Sequence, residues 1–403
     1  DLPRLGNGRR QLLALRRWLQ QPSFMAFSDV IPYLNQADAI LFAAGEQIFA
    51  AGDHGTAMYF ILSGEVRITV DGRELDYLHP GQVFGEMALA DNLVRSATAT
   101  AVSASQLVPI HKQQFADLTQ HLPTFASEVM SIMSVRLRRY MEDEVNRLRL
   151  EEELAIGQKI QLSLLPESCP DIPGWHFAAS YQAARQVGGD FYDFIADSHH
   201  PDLLHLVIAD VTGKGVPAAM FMAVCRTIIR TEAQNGRSPA DLLMRTNQQL
   251  RHETRSLPFL TAFFGTLNLK TGQLTYAIGG HDRPYWVQAR SGGVPQLTGH
   301  GMLLGAFPAI HLEEYQITLA PGDSLILYTD GVTEARCEDE LFDEDRLEAV
   351  IAGHATASAS EMADAILQAV NQFIGSQPQS DDLTLVIIQR DSRHPTPWYL
   401  SGL

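Results

Sequence analysis

Between Pro123 and Leu165 the chain carries no glycine or proline except Gly157. Those two residue types are what ordinarily end or kink a helix, so such a stretch reads as one continuous helix. Met141, Leu148, Ala155 and Leu162 recur every seven residues, with Leu137 and Val145 near the same face. Arg136, Arg138, Arg139, Glu142, Glu144 and Glu151 to Glu153 fill much of the rest. The pattern predicts a long amphipathic helix. Glu152 and Lys159 interrupt the seam where apolar residues would complete it. Two packings satisfy this: a parallel coiled coil that makes the chain a homodimer, or a single helix packed on its own domain.

The helix divides the chain. Residues 1 to about 40 have an amphipathic, helical pattern, with Leu12, Leu13, Leu15, Trp18 and Leu19 among Arg and Gln. From there to about residue 111, short runs such as Met58–Leu62 and Val66–Val70 are broken by Gly-Asp, Ser-Gly, Asp-Gly and Pro-Gly pairs. That spacing predicts an all-β sandwich or barrel. After Pro166, apolar strands such as Leu203–Ile208, Tyr276–Ile278, Ser324–Tyr328 and Leu383–Ile388 alternate with turn signals. Helices are predicted over about Val216–Gln234, Pro239–Glu253 and Ser360–Ile374, with Ser238 and Ser360 as N-caps. Hairpin-linked strands with grouped helices predict an α+β layered domain. The expected organisation is therefore multidomain: 1–122, a helical linker 123–165, 166–391, and a loop-like tail 392–403.

Composition narrows the function classes. A formal net charge of -17 over 403 residues argues against nucleic acid as a partner, because displacing phosphate counterions needs a basic face. The same charge suits a chain that gathers cations in clustered carboxylates. Cys169, Cys225 and Cys337 are far apart, which indicates neither a disulfide framework nor a zinc site and suits a reducing cytosol. No apolar run approaches the roughly 20 residues that span a bilayer, so a cytoplasmic protein without membrane association is expected. No signal peptide is visible, and the chain opens at Asp1 without a Met, which leaves the true start open.

In the first domain the informative stretch is Phe84-Gly-Glu-Met-Ala-Leu89 followed by Arg95-Ser-Ala-Thr-Ala99. A cyclic nucleotide needs a guanidinium for its phosphate, backbone N–H groups beside it, and a carboxylate for the ribose 2′-hydroxyl. A Gly-Glu turn and an Arg nine residues later supply these from one cassette, and small residues such as Gly85, Ala88 and Ala97 let the backbone approach a ligand. A Glu and an Arg alone would read as surface residues. Together with Gly52 to Val66 and Leu78 to Glu86, the stretch resembles the cyclic-nucleotide-binding domain family over about 90 residues. The resemblance implies a β-roll (jelly roll) flanked by helices. It implies that Glu86 holds the ribose hydroxyl and Arg95 the cyclic phosphate, assisted by Ser96 and by backbone around Gly85 to Met87. Ser96 is intermediate between the family's cAMP and cGMP patterns, and cAMP is the preferred reading over cGMP.

The second domain carries four acidic islands: Gly188-Gly-Asp190-Phe-Tyr-Asp193, Ala209-Asp210-Val-Thr-Gly-Lys-Gly215, Tyr328-Thr-Asp330-Gly-Val-Thr-Glu334 and Ser380-Asp381-Asp382-Leu-Thr384. Any one alone reads as a turn or a strand cap. Carboxylates projecting from the ends of neighbouring strands repel one another and raise each other's pKa, and hard divalent cations such as Mg²⁺ or Mn²⁺ resolve that. In this order, with Ile160-Gln-Leu-Ser-Leu-Leu-Pro166 ahead and Gly279-Gly-His281 between, they resemble the SpoIIE-type branch of the metal-dependent (PPM) protein phosphatases. The resemblance runs from about Ile160 to Gln389 and implies an α/β/β/α sandwich.

Carried over by position, Asp210 would bridge two Mn²⁺ or Mg²⁺ ions, the Val211 carbonyl would join the first, Asp330 and Asp381 would hold the second, and Asp190 would bind directly or through water. Asp190, Asp210, Asp330 and Asp381 are thus the catalytic set. The implied substrate is a phosphoserine or phosphothreonine on a bacterial partner, an anti-sigma-factor antagonist of STAS type. The run His281-Asp-Arg-Pro284 departs from the family's usual Asn-Pro-Pro, so Arg283 lies near a substrate groove or simply on the surface. His281 is a general acid or a hydrogen-bonded structural histidine. The alternative to an enzyme is a nucleotide-responsive scaffold that binds the partner without catalysis, and four intact islands weigh against it.

Overall fold

The computed structural model describes Leu34 and residues 36–87, 94–253 and 258–392. The expected amphipathic helix around Leu12 to Leu19, Ala88 of the cassette, and nearly all of the tail lie outside these residues. Contacts divide the chain into two compact units, Asp1–Leu148 and Arg149–Leu403, and the division falls within the long helix.

The first unit is a two-sheet sandwich. Its strands are β1 (Ile40–Phe42), β2 (Gln47–Phe49), β3 (Ala57–Ser63), β4 (Val66–Val70), β5 (Arg73–Leu78), β6 (Val83–Phe84), β7 (Thr98–Ala101) and β8 (Ser105–His111). They form sheets of order β1-β8-β3-β6 and β2-β7-β4-β5. Strand β3 shows why two cores form. Successive side chains point to opposite faces. Ile61, with Tyr59 packed against the cluster, meets Val66, Leu78, Phe84, Ala99 and Leu107. Met58 and Phe60 face the other way, onto Leu118 of helix α1 (Lys112–His121) and Phe125 and Val129 of helix α2 (Pro123–Leu164). The outer face of one sheet is thus covered by helices.

Helix α2 spans 42 residues, about 63 Å at 1.5 Å per residue, as the absence of breakers predicts. Apart from its first turns, it carries exposed apolar side chains, including Leu137, Met141, Val145, Leu148, Ile156 and Ile160.

The second unit continues with β9 (Trp175–Gln182), β10 (Phe191–Ala196), β11 (Leu203–Val211), α3 (Val216–Ala233), α4 (Pro239–Glu253), β12 (Leu260–Asn268), β13 (Gln273–Gly279), β14 (Tyr285–Val287), β15 (Tyr315–Thr318) and β16 (Ser324–Tyr328). Then follow the single turn α5 (Asp330–Thr333), the hairpin β17 (Arg336–Cys337) and β18 (Glu340–Leu341), α6 (Asp343–Gly353), α7 (Ala359–Ile374) and β19 (Leu383–Arg390). The sheets have orders β10-β11-β12-β13-β15 and β14-β16-β19-β9. Helices α3 and α4 contact the first sheet, and α6 and α7 the second.

Alternation again divides the interior. Leu325, Leu327, Val386 and Ile388 join the core shared with the first sheet. Their neighbours Ile326, Tyr328, Leu385 and Ile387 join the core beneath α6 and α7. Helix α7 starts one residue earlier than expected, and its N-cap is Ser358, not Ser360. Ser358 accepts from the Glu361 N–H while Glu361 accepts from the Ser358 N–H. Only 358–361 has the Ser-x-x-Glu spacing of a capping box, whereas Ser360 stands three residues before Ala363.

Candidate functional site

In the first unit, Glu86 and Arg95 are both buried. The Arg95 guanidinium donates to the carbonyls of Gly85 (2.8 Å) and Ala57 (2.6 Å) and lies 4.1 Å above the Phe49 ring. Its Nε is buried without a hydrogen-bond partner among the described residues. Burial pulls its pKa down from the ordinary value. A buried cation with a spare donor is suited to accept an anion. Gly85 must be glycine here, because it has positive φ and a β-carbon would lie 2.6 Å from the Arg95 guanidinium. Ser96 and Met87 are exposed, with the Ser96 hydroxyl 3.6 Å from the Met87 sulfur.

Glu86 is not a free carboxylate. Arg136 of α2 donates to both of its oxygens (3.0 and 3.1 Å) and to the Val83 carbonyl (2.9 Å). Nothing in the local spacing announces this pair, because its members lie 50 residues apart.

In the second unit, the four islands sit at strand ends. Asp190 directly precedes β10, Asp210 is the penultimate residue of β11, and Asp381 and Asp382 precede β19. Asp330 opens α5, two residues beyond β16. Asp190 is 1% exposed, and its carboxyl accepts the hydroxyls of Thr329 (2.7 Å) and Thr384 (2.6 Å). Burial, followed by the neighbouring Asp210, pushes Asp190 well above the usual carboxylate range, and burial, aided by Asp381 and Asp382, raises Asp210 as well. Burial and then Asp210 and Asp381 push Asp330 up to about 7. Asp381 instead meets the Lys214 ammonium at 2.7 Å.

Asp382 has a different task. Its carboxylate accepts the Ala184 N–H (2.8 Å) and the Gly189 N–H (2.5 Å), pinning the loop that delivers Asp190. A β-carbon on Gly188 would lie 2.2 Å from Asp382, one on Gly189 2.6 Å from the Val211 carbonyl, and one on Gly331 1.8 Å from the Asp382 carbonyl. The glycines therefore let three backbone segments meet.

Asp193 is buried and paired with Arg226 (2.8 Å) and Arg230 (2.6 Å) of α3, so its role is to tie that helix to β10. His281 is buried, with Nδ1 2.8 Å from the Thr261 hydroxyl, and burial pushes it down to about 4. It is neutral at pH 7, which favours the structural reading. Asp282 is pushed up to about 6 by burial and then by Glu344, Glu334 and Asp210, while Arg283 is exposed.

These residues fit divalent cations by chemistry. The donors are hard oxygens, and raised carboxyl pKa values signal charge that a cation would relieve. Among the described residues, no three His, Cys, Asp or Glu side chains close on a single point as they stand. Thr329 and Thr384 hold the Asp190 carboxyl, and Lys214 meets Asp381.

Residues 39–121 match the cyclic nucleotide-binding domain, and residues 200–391 match stage II sporulation protein E (SpoIIE). The chain is 26% identical over 308 residues to phosphoserine phosphatase RsbU of Bacillus subtilis, covering 75% of this chain and 91% of that protein. It is 32% identical over 280 residues to protein IcfG of Synechocystis, covering 62% of this chain and 43% of that protein. The chain is 37% identical over 117 residues to the cyclic AMP receptor protein of Thermus thermophilus, covering 28% of this chain and 54% of that protein. In fold, the chain resembles the SiaA-PP2C domain of Pseudomonas aeruginosa, with a TM-score of 0.55 at 24% identity, covering 61% of this chain and 99% of that domain. The protein is an enzyme of the metal-dependent protein phosphatase class. It joins a SpoIIE-type phosphatase domain to a cyclic nucleotide-binding domain.

Proposed function

We propose that the chain is a cytoplasmic, cyclic-nucleotide-regulated protein serine/threonine phosphatase that uses two Mn²⁺ or Mg²⁺ ions. The carrying observation is that the acidic islands lie at or just beyond strand ends, where burial and neighbouring carboxylates raise Asp190, Asp210 and Asp330 above the ordinary carboxyl value. Bound cations would supply a water of lowered pKa and offset charge on the phosphoryl oxygens. Asp210 is assigned to both ions, the Val211 carbonyl to the first, Asp330 and Asp381 to the second, and Asp190 to direct or water-mediated ligation.

The protein's own groups prepare that centre. Thr329 and Thr384 orient the Asp190 carboxyl, Asp382 fixes its loop, and Lys214 neutralises Asp381. The substrate is a phosphoserine or phosphothreonine on an anti-sigma-factor antagonist of STAS type. The similarity to RsbU, described as a phosphoserine phosphatase, supports that class. The two sheets are read as the inner layers of an α/β/β/α sandwich.

In the sensor, Arg95 takes the cyclic phosphate and Glu86 the ribose hydroxyl, with Gly85, Met87 and Ser96 beside them, and cAMP is preferred to cGMP. The exposed row Met141, Val145, Leu148 and Leu162 on α2 supports a parallel coiled coil and a homodimer. The test is phosphate release from a phosphoester with Mn²⁺, with and without cAMP. Asp210→Asn should lower the rate on the order of 10³-fold. Wild-type turnover by that variant, folded and saturated with Mn²⁺, would remove the metal assignment. A rate indifferent to saturating cAMP and cGMP would remove the regulatory one.

A further inference from the structure

Gln161 stands in the last turn of α2 and is buried. Its side-chain amide forms a reciprocal pair with one backbone residue. Nε2 donates to the Gly188 carbonyl at 2.6 Å, and the Gly188 N–H donates to Oε1 at 3.1 Å. Both backbone polar groups of Gly188 are therefore satisfied by a single side chain from another element. Gly188 belongs to the loop joining β9 to β10, two residues before Asp190.

The same loop is gripped from its other side by Asp382, through the N–H groups of Ala184 and Gly189. A carboxylate at the start of one strand and an amide at the end of one helix thus hold the backbone that carries Asp190. The Asp382 anchor belongs to the sheet. The Gln161 anchor belongs to the helix through which the chain reaches this domain from residues 39–121. A shift of that helix end along or about its axis is passed to Gly188 through this amide.

We propose that Gln161 is a positioning residue for Asp190, and that the end of α2 sets the metal affinity of the phosphatase through this amide. The inference rests on the metal reading above. Residues outside the ligand set that fix ligand orientation typically change metal affinity by about 10–100-fold when removed. A helix end that only docks against the domain would contribute to stability and leave metal affinity alone.

The experiment is Mn²⁺ titration of the full chain by calorimetry, beside thermal melts and Mn²⁺-dependent turnover, for wild type, Gln161→Ala, Gln161→Glu and Asp210→Asn. Gln161→Ala should bind Mn²⁺ about 10–100-fold more weakly and recover most of its turnover at high Mn²⁺. Gln161→Glu keeps the acceptor for the Gly188 N–H and loses the donor to its carbonyl, so it should fall between wild type and Gln161→Ala. It also serves if Gln161→Ala fails to fold. Wild-type Mn²⁺ affinity in a folded Gln161 variant, with Asp210→Asn impaired, would overturn this inference alone. Wild-type affinity in Asp210→Asn would overturn the metal reading, and this inference with it.

Discussion

The Lys214 ammonium lies 2.7 Å from the Asp381 carboxylate and donates to the Ser380 carbonyl at 2.6 Å. A side chain of the protein thus supplies positive charge at a carboxylate assigned to a metal ion. The ammonium and the cation compete for the same oxygens. Lys214→Met should strengthen Mn²⁺ binding. The pair is partly exposed, so the gain is about 0.2–1 kcal/mol, up to roughly fivefold in affinity. Calorimetric titration reads it directly, and weaker binding by the variant would show that Lys214 assists the site.

Asp330 gives the metal-free protein a pH dependence. Its carboxyl is pushed from 3.8 to about 7 in the folded chain. Between those values the folded state holds a proton that the unfolded state has released. Its stabilising contribution is complete below the lower value and is lost as pH rises through about 7. Chelator-treated wild type should therefore lose Tm relative to Asp330→Asn between about pH 4 and about pH 7. Mn²⁺ affinity should rise over the same interval as the proton leaves. A Tm difference that stays level with pH would refute the assignment.

Arg136 and Arg95 separate stability from binding in the sensor. Arg136→Ala strands the buried Glu86 carboxylate. Removing one partner of a fully buried pair costs about 3–5 kcal/mol, and the loss here is smaller because Arg136 is 30% exposed. Denaturant melts of the full chain should show it. Arg95→Ala removes a charged phosphate contact and should cost about 2–5 kcal/mol of cyclic-nucleotide affinity. Unchanged cAMP and cGMP affinities in calorimetry would refute the cassette.

Gly188→Ala tests the convergence of the loops. The added β-carbon meets the Asp382 carboxylate at 2.2 Å, so that carboxylate or the loop must move. Overpacking of this kind costs about 1–3 kcal/mol. Because the displaced groups hold Asp190, turnover should fall further than stability at equal Mn²⁺. A variant with full activity and a lowered Tm would place the glycine's role in folding alone.

The sequence made the elements readable where one periodicity dominates. The unbroken run 123–165 became α2, and Ser324–Tyr328 became β16 with the same bounds. The acidic islands were readable through their order along the chain, since any one of them alone reads as a turn or a strand cap. Partners brought in by tertiary structure were not. Arg136 reads as one more charge on a helix until α2 lies beside Val83 and Glu86. Thr329 and Thr384 stand inside the island motifs, yet only the meeting of two strand ends directs both hydroxyls onto Asp190. Asp382 was given no role beside Asp381, and only the fold shows backbone N–H groups claiming Asp382 while Lys214 meets Asp381.

Strands β16 and β19 send alternate side chains into both interiors of the phosphatase unit. One backbone thus serves two interiors, so a change that shifts either strand from the α6–α7 side disturbs packing on the α3–α4 side as well.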